Sequence, residues 1–160
     1  MNFIYKLNSD GVIIQASTLN DLDSFGVAAS PSHIFIVGGI EYDSDKLDNA
    51  SIIGQILSVS LKNIDVKKPF FSKQRGEELW LSQAREKPIV TYHNGLLLVC
   101  GGSVESEAFF PIIEIYDVHE RELRTVLDFR LNFMMDIEDC SRFKLYPMFE
   151  QECVILVHSK

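Results

Sequence analysis

The side chains that could act as nucleophiles, proton-transfer groups or metal ligands are few and widely spaced in this chain. The histidines and cysteines are His33, His93, His119, His158, Cys100, Cys140 and Cys153. No histidine forms a recognisable nucleophile motif with a serine or a cysteine. The glycine pairs are not followed by the Lys-Ser or Lys-Thr of a phosphate-binding loop. We therefore expect no catalytic residue and no cofactor, and a protein that is not an enzyme.

The segment from Glu41 to Asp48 is the best candidate for a metal site. Asp43, Asp45 and Asp48 could offer oxygen ligands to Ca²⁺. An EF-hand loop needs a glycine at its sixth position and a glutamate at its twelfth, and this segment has neither. We expect a hydrated surface loop here, and no bound metal.

Cysteine usage and hydropathy indicate the compartment. The three cysteines are odd in number and lack zinc-ligand spacing, which favours reduced core thiols in a cytosolic protein. No apolar run approaches the roughly 20 residues that cross a bilayer, and no signal peptide is evident. We expect a cytoplasmic location.

Two apolar runs that lead into glycine pairs define the architecture. Gly38 and Gly39 follow residues 34–37, and Gly101 and Gly102 follow the run that ends at Cys100, so the pairs are 63 positions apart. Short β-rich segments stand before each run, joined to it by turn residues such as Asn94-Gly95, the strongest short hairpin signal. A repeat of this length made of strands is typical of propeller blades.

A second type of hairpin alternates with the first. Residues 113–118 alternate with a period of two, polar residues 119–122 turn the chain, and residues 123–129 return. Matching hairpins are predicted at 56–71 and 3–14, with turns at 62–67 and 8–11, and the first type recurs at 144–157. His33, His93 and His119 lie in or beside predicted turns, where we expect surface residues.

A strand that ends in Gly-Gly, followed by a strand like Ile115-Tyr116-Asp117-Val118, resembles the kelch repeat of β-propellers. Arg85 and Arg142 precede the first strands of their blades, as an arginine often does in that family. The resemblance implies an all-β fold of four-stranded antiparallel blades. The predicted segments are a half blade at 1–22, blades at 23–75 and 85–131, and a half blade at 138–160. A β-sandwich in which the glycine pairs merely end hairpin strands is the alternative fold.

Three blade-equivalents cannot close a propeller, which needs roughly four to eight blades. Either the chain is part of a longer kelch protein, or two copies form a six-bladed homodimer. In the dimer, the N-terminal hairpin of each chain would complete the blade begun by the C-terminal hairpin of the other.

Charge is distributed unevenly over the predicted loops. The net charge is −8, which disfavours binding to nucleic acid and to anionic membranes. The loops expected on one face are residues 19–25, 40–55, 74–86, 103–112 and 134–142. These acidic loops hold 14 of the 23 acidic residues but only four of the 15 basic ones, namely Lys46, Arg75, Arg85 and Arg142. An acidic face attracts basic partners and speeds their encounter.

The sequence therefore predicts a non-catalytic protein-interaction module or scaffold, with a partner protein that has a basic surface. The predicted contact residues are Glu41, Asp43, Asp45, Asp48, Glu105, Glu107, Phe109 and Phe110. Solvated charged loops without a partner, and aromatic residues tucked under a loop, are the alternatives for these positions. The resemblance also implies an alternative function, a glycan or small-molecule site in the propeller channel, including mutarotase-like activity.

Overall fold

The structure is a computed structural model. It describes residues 2–7, 9–11, 13–19, 22–43, 46–105, 112–128, 143–148 and 153–158. The described residues form thirteen β-strands and no helix, so the chain is all-β as predicted. No helix among them is long and apolar enough to cross a membrane.

All strand pairing is antiparallel, in two multi-stranded sheets and two hairpins. The strands are β1 (Asn2–Leu7), β2 (Ile13–Leu19), β3 (Leu22–Asp23), β4 (Gly26–Ala29), β5 (His33–Asp43), β6 (Lys46–Ser60), β7 (Asn63–Pro69), β8 (Ile89–His93), β9 (Leu96–Cys100), β10 (Ile112–Asp117), β11 (Glu122–Asp128), β12 (Phe143–Met148) and β13 (Cys153–His158).

Sheet 1 has four strand positions across its width. The short strands β3 and β4 both pair with β5 along one edge, and β6 and β7 follow. Sheet 2 has the simple order β8-β9-β10-β11. The remaining strands form the separate hairpins β1-β2 and β12-β13.

The two sheets have the same unusual backbone angles at equivalent residues. Ser24 and Lys87, which are 63 positions apart, have positive φ angles of 53° and 50°. The glycine pairs, also 63 positions apart, have φ angles of 60° and 112° in sheet 1 and of 61° and 92° in sheet 2. Positive φ is uncommon for residues other than glycine. The shared pattern therefore identifies sheets 1 and 2 as copies of one structural unit.

The main core lies between the two sheets. One face of sheet 1 contributes Phe35, Val37 and Ile56, which pack with Leu97 and Val99 of sheet 2. These side chains alternate along their strands with residues of the opposite faces, as a period of two requires. The opposite face of sheet 1 has its own apolar cluster of Leu22, Ile36, Leu57 and Val59.

Two predicted loops are wrong. The predicted loop from Glu41 to Asp48 belongs largely to strands, because β5 continues to Asp43 and β6 begins at Lys46. These two strands stay paired beyond the glycine pair, where their register shifts. The predicted turn at 62–67 is a two-residue turn, since β7 begins at Asn63. The Ser60 hydroxyl accepts a hydrogen bond from the Lys62 amide, which stabilises this tight turn.

Candidate binding surface

The connection from sheet 1 to sheet 2 builds the most distinctive surface of the described chain. After β7 and a turn at residues 72–77, residues 79–81 continue along β6 in the direction of β7: the Leu79 carbonyl accepts the Ile56 amide, and the Leu81 amide donates to the Gly54 carbonyl. The chain then crosses β5, where the Gly39 amide donates to the Arg85 carbonyl at 2.9 Å. We call residues 70–86 the crossover segment.

The crossover segment passes so close to sheet 1 that side chains are excluded beneath it. A Cβ atom at Gly38 would lie 2.5 Å from the Arg85 carbonyl oxygen, and one at Gly54 would lie 3.2 Å from the Ala84 Cα. At Gly102 in sheet 2, a Cβ atom would lie 2.6 Å from the Glu86 carbonyl oxygen. The glycine pairs thus combine left-handed backbone angles with close backbone approach.

A buried polar network fixes the crossover segment to sheet 2. Arg85 and Glu114, both 0% exposed, form an ion pair through Nη2 and Oε2. The other carboxylate oxygen of Glu114 accepts the Ser82 amide at 2.7 Å. The Tyr116 hydroxyl lies 3.1 Å from the Trp80 carbonyl oxygen and 3.2 Å from Oε2 of Glu114, so its one proton can be donated to either. Three points of the crossover segment are therefore held by β10.

The low polarity around this network shifts the titration of its members. Burial lowers the pKa of the Arg85 guanidinium, and the charge of Glu114 opposes that shift. Burial, reinforced by the charge and hydrogen bond of Glu114, raises the pKa of Tyr116. Burial also raises the pKa of Cys100 to about 12, although the charge of Arg85 acts in the opposite direction. Tyr116 and Cys100 thus stay neutral at physiological pH.

Sheet 1 fills the corresponding positions with apolar side chains. By the 63-residue repeat, Arg85 corresponds to Leu22, and the register of β10 against β9 matches Glu114 with Leu57 and Tyr116 with Val59. Leu22, Leu57 and Val59 pack together in one apolar cluster. The same three positions therefore hold a buried ion pair in sheet 2 and apolar side chains in sheet 1, so the fold of the unit does not require charges there. Its complete burial makes it a structural connection rather than an open site.

Above this connection, the crossover segment presents an exposed tryptophan. The Trp80 side chain is 52% exposed, while its backbone bridges to Gln55 of β6. The Gln55 amide group donates a 2.7 Å hydrogen bond to Glu78, which is partly exposed, and Glu77 is exposed. Trp80 is thus a large aromatic group on a backbone held from both sheets, with carboxylates close to it in sequence.

A concave region of about 390 Å³ lies beside this segment, between residues 72–79 and the start of β11. Its charged lining residues are Arg75, Glu77, Glu78 and Glu122, and Leu123 adds an apolar wall. Three carboxylates against one guanidinium make the cavity acidic. A positively charged or amphipathic side chain suits such a lining.

The structure places some of the predicted contact residues and leaves others outside the described ranges. Glu41 and Glu105 are exposed and lie two and three residues beyond the glycine pairs of their sheets. Asp43 ends β5 and Asp48 lies in β6. Asp45, Glu107, Phe109 and Phe110 fall outside the described residues, as does Arg142. Because the two sheets are copies 63 positions apart, Glu41 and Glu105 lie at corresponding ends of their sheets.

Two sequence predictions about individual side chains are wrong. Arg85, which was counted with the exposed basic residues of the acidic loops, is fully buried because Glu114 neutralises it inside the core. His93, expected at the surface of a turn, is only 4% exposed; Ser30, which lies 63 positions earlier and directly after β4, is buried in the same way. Trp80, Glu77 and Glu78 lie within a predicted acidic loop but were not singled out.

Comparisons with known proteins add no family. No protein-family model matches the chain, and no curated protein sequence matches it. Within the described residues, no group of three histidine, cysteine or acidic side chains is placed to hold a metal ion.

Proposed function

We propose that the sheets are successive blades of a kelch-like propeller arc that serves as a non-catalytic protein-interaction module. The first strands of successive sheets, β4, β8 and β12, adjoin one another in chain order. A Cβ atom at Gly26 of β4 would lie 2.5 Å from the Pro88 carbonyl oxygen just before β8, so these strands meet at backbone contact. Crowding of first strands supports a common axis.

The connections support the same arrangement. Each glycine-pair strand is followed by a third and a fourth strand, and the crossover segment then leads from the fourth strand of sheet 1 to the first strand of sheet 2. Equal units that pack face to face in sequence order are the signature of a repeat architecture. The buried free thiol of Cys100 agrees with a reducing compartment such as the cytoplasm.

The exposed Trp80 is the observation that carries the binding proposal. Tryptophan is enriched among the residues that dominate protein interfaces, and a half-exposed indole on a fixed backbone loses little entropy when a partner covers it. The carboxylates of Glu77, Glu78 and Glu122 select a partner with lysine or arginine. A cation can also bind the face of the indole ring. The partner that fits this surface is therefore a basic segment of another protein.

Trp80 is the only tryptophan of the chain, and it lies two residues beyond Glu78 of the cavity lining, so its fluorescence reports on binding near the crossover segment. We expect a short lysine- and arginine-rich peptide to change the emission of Trp80 in a saturable manner, with an affinity that falls as salt is added. A glutamate-rich peptide of equal length is the matched control and should leave the emission unchanged. An identical response to both peptides, or to neither, would contradict the proposal.

The acidic contribution is tested by the double variant Glu77→Gln/Glu122→Gln. This variant keeps the shape of the cavity and removes two of its three carboxylates, so we expect weaker peptide binding and a smaller salt dependence. Asp10→Asn/Asp23→Asn, which removes two exposed carboxylates that do not line the cavity, is the control for a loss of net charge alone. Equal weakening by the double variant and by the control would show that local contacts do not matter.

A further inference from the structure

The two isolated hairpins of the structure are of different types. In β6-β7 and β10-β11, the third and fourth strands of their sheets, the register shifts close to the turn, between Val59 and Ser60 and between Ile115 and Tyr116. The β1-β2 hairpin has the same irregularity, between Lys6 and Leu7. The β12-β13 hairpin has an unbroken register, as β8-β9 does. The first hairpin therefore corresponds to third and fourth strands, and the second to first and second strands.

The neighbours of the hairpins agree with this assignment. β12 adjoins β8, just as β8 adjoins β4, so β12 stands where a first strand belongs. β2 adjoins β7, so the first hairpin lies beside the fourth strand of sheet 1. The hairpins adjoin different sheets, and neither pairs with the other.

Each hairpin thus has one strand edge that the described chain does not pair. Among the described strands, β1 pairs with β2 alone and β13 with β12 alone, whereas their counterparts β10 and β9 pair with each other. Unpaired backbone groups along an apolar strand such as β13 are costly and prone to uncontrolled association. The chain carries the complement of each open edge on its other hairpin.

We propose that a second copy of this chain occupies both edges, so that β13 of each copy pairs antiparallel with β1 of the other. Two such junctions are related by a two-fold axis and close the assembly, which leaves neither edge open. Each junction produces a four-stranded sheet with the order β12-β13-β1-β2, identical in strand type to sheet 2.

The register of this junction follows from sheet 2. There, Leu98 of β9 lies opposite Ile115 of β10. By sequence, residues 154–157, which precede His158-Ser159, align with residues 97–100, which precede Gly101-Gly102. This alignment matches Ile155 with Leu98. The sequences of residues 3–7 and 114–118 align with Ile4-Tyr5 on Ile115-Tyr116, which matches Ile4 with Ile115. Ile155 therefore lies opposite Ile4 of the partner subunit.

Disulfide trapping tests this register. Residues directly opposite each other in an antiparallel pair have Cα atoms about 4.5–5.5 Å apart, within the range that a disulfide bridges. In a Cys140→Ser/Cys153→Ser background, the variant Ile4→Cys/Ile155→Cys should form a covalent dimer on mild oxidation. Cys100 can stay, because its thiol is fully buried.

The matched control moves one cysteine to the neighbouring strand. Ser17 lies opposite Ile4 on β2, so it is one strand farther from the junction, about 10 Å from β13 of the other copy. Ser17→Cys/Ile155→Cys should give no covalent dimer. The mass of the unmodified chain by light scattering needs no variant, and we expect twice the 18.2 kDa of one chain. A folded chain of 18.2 kDa, a mass of three or more copies, or equal trapping in the control would overturn the proposal.

Discussion

Replacement of Arg85 by leucine should destabilise the protein strongly, although sheet 1 has leucine at the same position. Arg85→Leu leaves the Glu114 carboxylate 0% exposed without its counter-charge. Breaking a buried ion pair from one side costs about 3–5 kcal/mol. That loss is a large part of the free energy of unfolding of a small domain, which is about 5–15 kcal/mol.

The double variant Arg85→Leu/Glu114→Leu should recover much of this loss. It reproduces the Leu22–Leu57 contact of sheet 1 and removes both buried charges, a change that is often neutral or stabilising. The Ser82 amide loses its acceptor, which costs about 1–3 kcal/mol, while the Tyr116 hydroxyl keeps the Trp80 carbonyl. We therefore expect the double variant to lie between the wild type and the single variant.

Urea unfolding at neutral pH, monitored by circular dichroism, measures these differences in the free energy of unfolding. Lys73→Met is the matched control, because its ion pair with Glu120 is exposed and should contribute less than about 1 kcal/mol. A loss below about 1 kcal/mol in Arg85→Leu would refute the claim that the buried pair holds the crossover segment to sheet 2. A double variant less stable than the single one would refute the equivalence of the two sheets.

Two further predictions concern backbone geometry and a turn. Gly38→Ala should destabilise the protein by about 2 kcal/mol or more, because its Cβ would collide with the Arg85 carbonyl oxygen. Gly76 has a similar φ of 66° but open space around it, so Gly76→Ala should cost only about 1 kcal/mol. Urea unfolding measures the free energy of unfolding of both variants. Asp117 accepts the His119 and Glu120 amides, and these bonds hold its pKa below the usual range. Its contribution should therefore be complete above pH 5 and fade as the pH falls through that lowered pKa, so the stability gap to Asp117→Asn should narrow in acid.

Much of the fold was readable because strand patterns and turn chemistry are local. The glycine pairs and Asn94-Gly95 need positive φ, and all of them have it. Strand β10 alternates clearly, which put Glu114 and Tyr116 on one face. The strand extension beyond Gly39 was missed because aspartate and asparagine, which occupy Asp43, Asp48 and Asn49, are poor strand formers, and pairing with a neighbouring strand overrides that preference.

The candidate surface was harder to predict, because its parts come together only through the crossover. Arg85 and Glu114 are 29 positions apart, and nothing local in residues 74–86 signals burial. The one usable signal was Glu114 itself, a charge on the inward face of a strand, which requires a buried partner. Exposure of Trp80 depends on how the segment crosses sheet 1, so the sequence could place it in a loop but not at the surface.

The affinity of Trp80→Ala for the lysine- and arginine-rich peptide, measured by calorimetry, tests the central claim most directly. Val27→Ala is the matched control, because Val27 is 51% exposed on β4, outside the crossover segment. If Trp80 anchors a basic partner, its truncation should weaken binding about tenfold or more, and the control should bind as the wild type does. Unchanged affinity in Trp80→Ala, or an equal loss in both variants, would contradict the account.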